Sequence, residues 1–372
     1  MLIPDVVQLT KDLIAFPTVS QDSNVVICDF LQKLLTDLNF EVERLSFDDK
    51  GQEKVSLVAR KGSGQGGFAF LSHSDTVPGD QGWNAFEPCV LDGRLIGRGS
   101  CDMKGPLAAA IVAAARAETS KLKHPLIVAI AADEENGYFG AMQIIRESKL
   151  LAGNWPTHGV VTEPTNLIPV YSHKGGTTVT VTATGLAAHT STEKGSSANF
   201  LIAPFLADMA RLVPLFKTDG RYLNNEFSPP SFGFNMVLND FGTKGNVTAG
   251  KTVCSLNIRN MPNVDNEGAV ALITEAAANY GLQADVQIVN YFHVPPSNSM
   301  VQAACRATGI VHPETVPYGT EAVIYQSRIP NQVILGPGNI AQAHTVGEWI
   351  DIQQLTRAVD VYDRLIADLC GS

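Results

Sequence analysis

The stretch PLIVAIAADEE, residues 125–135, sets a short apolar, β-prone run directly against three consecutive acids. The run is too short for an ordinary helix and rich in Ile and Val, so it reads as a strand ending in a charged loop. Three other apolar runs end the same way on their C-terminal side. GFAFLS (67–72) runs into His73-Ser74-Asp75, HGVVT (158–162) runs into Glu163, and NQVILGPG (331–338) leads through a short loop to His344. Helical patterns lie between the runs, above all DMKGPLAAAIVAAARAE (102–118), rich in Ala and opened by an acid. Strands alternating with helices predict an α/β domain on a mostly parallel sheet. In open α/β sheets, ligands bind outside the carboxyl ends of the strands. Four endings of metal-ligand type therefore predict one convergent site.

Working outward, VSLVAR (55–60) is a further strand. Past HKGG (173–176) the pattern changes: TTVTVTATG (177–185) alternates Thr with Val or Ala, as in a strand with one wet face. A helix over about 197–216, strands at NVTAG (246–250) and KTVCSLNIRNMP (251–262), a helix over 265–281 and the strand QADVQIVNY (283–291) follow. This order, β-α-β-β-α-β, is that of a ferredoxin-like α+β unit. The α/β pattern resumes with helices near 298–308 and 351–370. The expected organisation is a discontinuous first domain (1–175 and 292–372) with a second domain (176–291) inserted into it.

Composition narrows the functional classes. The chain has 372 residues, 45% of them hydrophobic and 17% charged, enough apolar material for two cores. A net charge of −10 without a long Lys/Arg cluster argues against nucleic acid as a partner. No run reaches the roughly 18 consecutive apolar residues of a membrane span, so no membrane partner is expected. The N-terminal stretch reads as an amphipathic helix rather than a signal peptide. Six scattered cysteines without C-x-x-C spacing predict buried or free thiols in a reducing cytoplasm.

The acids and histidines at the strand ends divide into roles. A lone H-x-D is more often a buried histidine bonded to its neighbour, but in this company His73 reads as a metal ligand and Asp75 as the carboxylate that fixes its ring. Asp102 is either a helix N-cap or a carboxylate bridging two cations, one through each oxygen. Glu134 and Glu135 point in opposite directions from a strand end. Two like charges buried together need a cation, so one binds metal while the other faces the reacting water. Glu163 and His344 complete the count: one His and one Glu per ion with Asp102 shared. Zinc suits this mixture and leaves positions open for a hydroxide; cobalt and manganese stay open as alternatives.

HSDTVP (73–78), GRGSCDMKGP (97–106), DEENGYFGA (133–141), TEPT (162–165) and GPGNIAQAH (336–344) together resemble the co-catalytic zinc aminoacylase/carboxypeptidase family, in order and over essentially the whole chain. The resemblance implies one zinc on His73 and Glu163, a second on Glu135 and His344, and Asp102 bridging. It implies Glu134 as general base, Asp75 as the acid orienting His73, and a cis peptide at Asp102–Met103. The inserted domain matches the family's lid, through which its members form homodimers. By the same resemblance His189 donates to the oxyanion in the partner subunit's active site, and Arg259, with Asn246 nearby, receives the substrate α-carboxylate.

YGTEA (318–322) and LGPGNIAQAH (335–344) are most similar to the family's deacetylase branch. The implied substrate is a small N-acyl amino acid with a cationic or polar side chain, N2-acetylornithine first, with Glu321 as partner of a distal ammonium. GLAAHTSTEKG (185–195) and FGTKGNVTAG (241–250) depart from the commonest lid motifs and leave the substrate open. Desuccinylase, acetylcitrulline deacetylase and dipeptidase or carboxypeptidase activities stay as alternatives. An inactive metal-binding scaffold is the alternative of another class; a retained Glu134 speaks against it.

Overall fold

The computed structural model describes residues 3–371. The chain divides into two compact units. The first comprises Met1–Tyr171, Val294–Glu314 and Thr320–Ser372; the second comprises Ser172–His293 and Thr315–Gly319. Compared with the sequence expectation, the junctions move by a few residues. The short segment Thr315–Gly319 also returns to the second unit, where Val316 O accepts from Lys174 N and Thr315 Oγ1 donates to Glu226 O.

The first unit is α/β, with a sheet that is parallel through its centre. Strand order is Glu41–Asp49, Gln52–Lys61, Leu126–Ala131, Phe68–His73, His158–Val161, Asn331–Ile334. The last four run parallel to one another, and these are the four runs whose sequences end in acids and histidines. Every residue of Phe68–His73 and Leu126–Ala131 is buried, as expected of central strands covered on both faces.

Antiparallel pairing flanks these four on both sides: Glu41–Asp49 and Gln52–Lys61 form a hairpin that joins Leu126–Ala131, and beyond Asn331–Ile334 the strand Val170–His173 pairs antiparallel at Ile334. The sequence reading missed the first hairpin strand, EVERLSFDD, because a half-exposed strand rich in charge carries little apolar signal. Helix Lys104–Arg116 packs on Ile352–Cys370 and on Val6–Ile14. It is buried from Lys104 to Ala114, so its Ala-rich sequence reflects close helix contacts rather than a solvent-facing stripe.

The second unit is a four-stranded antiparallel sheet in the order Asn235–Asn239, Lys251–Ile258, Gly176–Thr184, Gln283–Val289. Helices Ala198–Thr218 and Asn266–Asn279 complete the β-α-β-β-α-β order. Val179, Val181 and Ala183 alternate inward with Cys254, Leu256 and Ile258 to meet Phe205, Met209 and Ile273. One expected strand is misplaced: NVTAG (246–250) is loop, apart from a single bridge from Val247 to His189, and the strand is Asn235–Asn239 instead. Edge pairing decided this against a β-prone Val-Thr flanked by turn residues.

Helix Ala198–Thr218 has the length and apolar content of a membrane span. However, it carries Asp208, Arg211 and two prolines, and it buries Ile202, Phe205, Met209 and Phe216 in the core of its own unit. All six cysteines are free thiols.

Candidate metal centre

Parallel strands side by side bring their carboxyl ends to one edge of the sheet, and the structure gathers the expected groups there. His73 is the last residue of its strand. Asp133–Glu135 follow Leu126–Ala131 at once, and Glu163 follows His158–Val161. His344 arrives by a longer route, from Asn331–Ile334 through the turn at Gly336–Gly338 and the 3₁₀ turn Ile340–Gln342. Gly338 has φ +92°, and a Cβ there would lie 2.7 Å from Cys101 Sγ, so only glycine lets this loop pass the Asp102 loop.

The ligand-type atoms form two groups that share Asp102. In the first, His73 Nε2 lies 3.3 Å from Asp102 Oδ1 and 3.5 Å from Glu163 Oε1. In the second, His344 Nε2 lies 3.4 Å from Asp102 Oδ2 and 3.0 Å from Glu135 Oε1. Donors held at about 2.0–2.1 Å around a tetrahedral ion stand about 3.3 Å apart, which is the spacing in both groups. His73 Nε2 is buried and meets neither carboxylate in hydrogen-bonding geometry. An orphaned imidazole nitrogen facing two carboxylates is the arrangement a divalent cation completes. The two oxygens of Asp102 face different groups, and the residue does not act as an N-cap. Helix Lys104–Arg116 begins after Met103 with no side-chain cap, and Asp102–Met103 is cis.

Burial and mutual repulsion show how acidic this edge is. Burial, then Asp102, pushes Glu163 up to about 7. Glu134 is also held well above the carboxylate range, by burial and then by Glu163, Glu135 and Asp102 against the pull of His73. In the other direction, hydrogen bonds to Asp102 and Glu135 raise His344 to about 10. The Glu134 side chain makes no hydrogen bond among the described residues, while its backbone is tightly fixed.

Asp75 does the fixing. Its Oδ1 accepts from Glu134 N at 3.1 Å and its Oδ2 from Glu135 N at 3.3 Å. Asp75 Oδ1 also stands 3.4 Å from His73 Nδ1, whose nearer partner is the Asp75 carbonyl at 3.0 Å. Asp75 thus holds the acidic turn through its carboxylate and the histidine ring chiefly through its carbonyl, with the carboxylate close behind.

Two supporting residues escaped the sequence reading. Glu348, four residues past His344 and fully buried, accepts from Gly99 N, Cys101 N, Asp102 N and Arg98 Nη1 at 2.8–3.0 Å. It anchors the Asp102 loop to the segment that carries His344. An acid spaced i+4 from a ligand was the only signal available, and a solvated loop acid has the same signature. Lys54, buried near the start of strand Gln52–Lys61, pairs with Asp133.

Glu321 lies fully buried at the head of helix Ala322–Tyr325, and neither of its oxygens has a hydrogen-bond partner. Burial pushes it up to about 8, and the charges acting on it are those of His73, Glu163 and Asp75.

The other expected substrate-binding residues belong to the second unit. There His189 and Asn246 are brought together from distant sequence. His189 bridges to Val247, and Thr190 N donates to Asn246 O at 2.9 Å. His189 is exposed, and its Nδ1 lies 2.7 Å from Ser191 Oγ and 3.3 Å from Ser191 N. Arg259 is exposed at the end of strand Lys251–Ile258. Its charge adds to burial in lowering Lys174 to about 8.

Comparison with known proteins agrees with this architecture. Residues 69–368 match the model of peptidase family M20/M25/M40. An acetylornithine deacetylase of Myxococcus xanthus is 34% identical over 97% of this chain and 96% of its own length. One of Proteus mirabilis is 30% identical over 99% and 97%. Among solved structures, the metallo-carboxypeptidase Sso-CP2 of Sulfolobus solfataricus superposes with a TM-score of 0.73 at 16% identity, covering 98% of each chain. Aminopeptidase PepT of Bacillus cereus gives 0.72 at 23% identity, covering 97% of each. The YXEP protein of Bacillus subtilis, a dinuclear metal binding peptidase, gives 0.64 at 17% identity over 98% of this chain and 97% of its own. With a parallel sheet whose strand ends carry two ligand groups around one shared aspartate, and with this family match over most of its length, the chain belongs to peptidase family M20/M25/M40 and is a metallohydrolase.

Proposed function

We propose that the chain hydrolyses the amide of a small N-acyl amino acid with two zinc ions, and that its substrate is N2-acetyl-L-ornithine, released as L-ornithine and acetate for arginine biosynthesis. The observation that carries the reading is the excess of acid at the strand ends. Asp75, Asp102, Glu134, Glu135, Glu163 and Glu321 crowd one edge, and neither oxygen of Glu321 has a hydrogen-bond partner among the described residues. With all six ionised once two divalent ions are bound, negative charge would be left uncompensated there. An N-acylated amino acid has lost its α-ammonium, so the cation that answers this excess is on its side chain. The full-length likeness to acetylornithine deacetylases supports the same choice.

In this reading His73, Glu163 and Asp102 hold one ion, and Asp102, Glu135 and His344 hold the other. Bound there, the ions supply Lewis-acid polarisation of the amide carbonyl and bring the pKa of a water to about 7. Glu134 accepts the proton of the attacking water and passes it to the departing nitrogen, acting as base and then as acid. Its high proton affinity and free side chain suit it to that double duty. Asp75 keeps His73 and the Glu134–Glu135 amides in register. His189 donates to the oxyanion in the partner subunit's active site; Arg259 with Asn246 takes the α-carboxylate; Glu321 takes the distal ammonium.

A homodimer through the second unit belongs to the same reading. It is supported by apolar side chains left in solvent, Phe200 at 83% exposure with Val237 and Leu238.

The test is a substrate panel of N-acetyl, N-succinyl and dipeptide compounds on zinc-loaded protein. N2-acetylornithine should give the highest kcat/KM. Faster turnover of dipeptides would replace the reading with a peptidase one. In Glu321→Gln the ratio of kcat/KM for acetylornithine over acetylmethionine should fall by about tenfold or more. An unchanged ratio removes Glu321 from substrate recognition.

A further inference from the structure

Beneath the acidic turn lies a buried cation. Lys54 is 1% exposed, and its ammonium uses all three of its donors: to Ser20 O at 2.7 Å, to Asp22 O at 2.8 Å and to Asp133 Oδ1 at 2.8 Å. Asp133 directly precedes the Glu134–Glu135 pair and sits at φ +53°, a left-handed conformation that a non-glycine residue adopts only when its surroundings hold it there. The same Ser20 whose carbonyl binds Lys54 donates through its hydroxyl to Asp75 Oδ2 at 2.7 Å. Asp75 in turn accepts from the amides of Glu134 and Glu135. Two arms therefore leave Lys54 and close on the same turn. One runs through the Asp133 side chain and the chain itself; the other runs through Ser20 and Asp75.

We infer that Lys54 is a positioning residue for the reaction: by clamping Asp133 in its left-handed conformation and tying it to the Ser20–Asp75 arm, it sets the direction in which Glu134 and Glu135 leave the sheet. The inference rests on the reading of Glu134 as base and Glu135 as ligand. A buried Lys–Asp pair that only stabilises the fold would be exchangeable for neutral residues, since removing both charges leaves none uncompensated. A clamp is not exchangeable in that way, because the tie to the Ser20 and Asp22 carbonyls goes with the ammonium.

The experiment compares the parent with Lys54→Met, Asp133→Ala and the double variant, all zinc-loaded, on the best substrate of the panel. Melting temperature, kcat, KM and chelator-competition affinities for both ions are measured. In Lys54→Met, kcat should fall about 10–100-fold with KM within about threefold, the scale on which small misplacement of a reacting group acts. The more weakly held ion, on Glu135 and His344, should loosen while the tighter one is unchanged. The double variant should regain melting temperature relative to Lys54→Met without regaining kcat.

Parent-like kcat and ion affinities in folded Lys54→Met overturn the inference, as does recovery of kcat in step with melting temperature in the double variant. If Lys54→Met does not fold, Asp133→Ala decides alone: it removes the acceptor through which Lys54 holds the turn and leaves the backbone ties of Lys54 intact, and parent-like kcat in it overturns the clamp. A parent without activity on any N-acyl amino acid overturns the functional reading itself, and the inference with it. That outcome differs from an active parent with an indifferent Lys54.

Discussion

The two halves of the metal centre share Asp102 and a chemical composition, one His and one Glu each, yet they are built differently. His73 and Glu163 come from adjacent central strands and are buried. His73 is oriented from behind by Asp75. Glu135 and His344 form the open half. The His344 side chain is 52% exposed, sits on a loop and adopts φ +59°. Strand ends give a preformed half that needs only its cation. The loop-borne half keeps its histidine near its acids by the pull of Asp102 and Glu135.

The largest expected effect lies between the halves. Glu134→Gln should retain both ions and lose about 10²–10⁴-fold in kcat, the usual contribution of a general base. Metal analysis together with steady-state kinetics checks this, and an active Glu134→Gln protein would remove the base from the scheme. A smaller effect should separate the halves. Asp75→Asn keeps the shape but weakens the orientation of His73, and should cost about 10–100-fold in affinity for the buried ion. Chelator competition reads it; equal loss at both sites would mean that Asp75 acts mainly through the Glu134–Glu135 amides.

The smallest effect is a dependence on pH in the metal-free protein. Burial raises Glu163 from 4.5 to about 7 and Glu321 from 4.5 to about 8. A carboxyl whose folded pKa lies above its unfolded one binds its proton more tightly when folded. Its stabilising contribution is complete below pH 4.5 and is lost as pH rises through 7 and 8. His344, raised from 6.5 to about 10, acts with the same sign, discounted for its exposure. The melting temperature in chelator should therefore fall across this range, and zinc should flatten the slope. A rising melting temperature without metal would contradict the assignment of these acids to a cation site.

The contrast between the halves also explains what could be read in the sequence. His73, Glu135 and Glu163 were legible because apolar runs of strand length end on them, and parallel neighbours must bring such ends to one edge. Asp102 was ambiguous, since the residue before an Ala-rich helix is equally a cap. The structure adds that its two oxygens face different histidines. Lys54 and Glu348 were not legible. Both are charged residues whose roles come from burial and from partners 32 to 250 positions away, and local pattern carries neither. In the second unit, alternation in TTVTVTATG gave the central strand, whereas the edge strand Asn235–Asn239 owes its place to pairing.

The most direct test is a zinc titration of metal-free protein, with His344→Ala alongside. The parent should bind two ions of unequal affinity, and His344→Ala should lose the weaker while keeping the tighter within a few-fold. A single ion in the parent, or a His344→Ala protein that still binds two with unchanged affinities, would contradict a shared-aspartate pair with one buried and one open half.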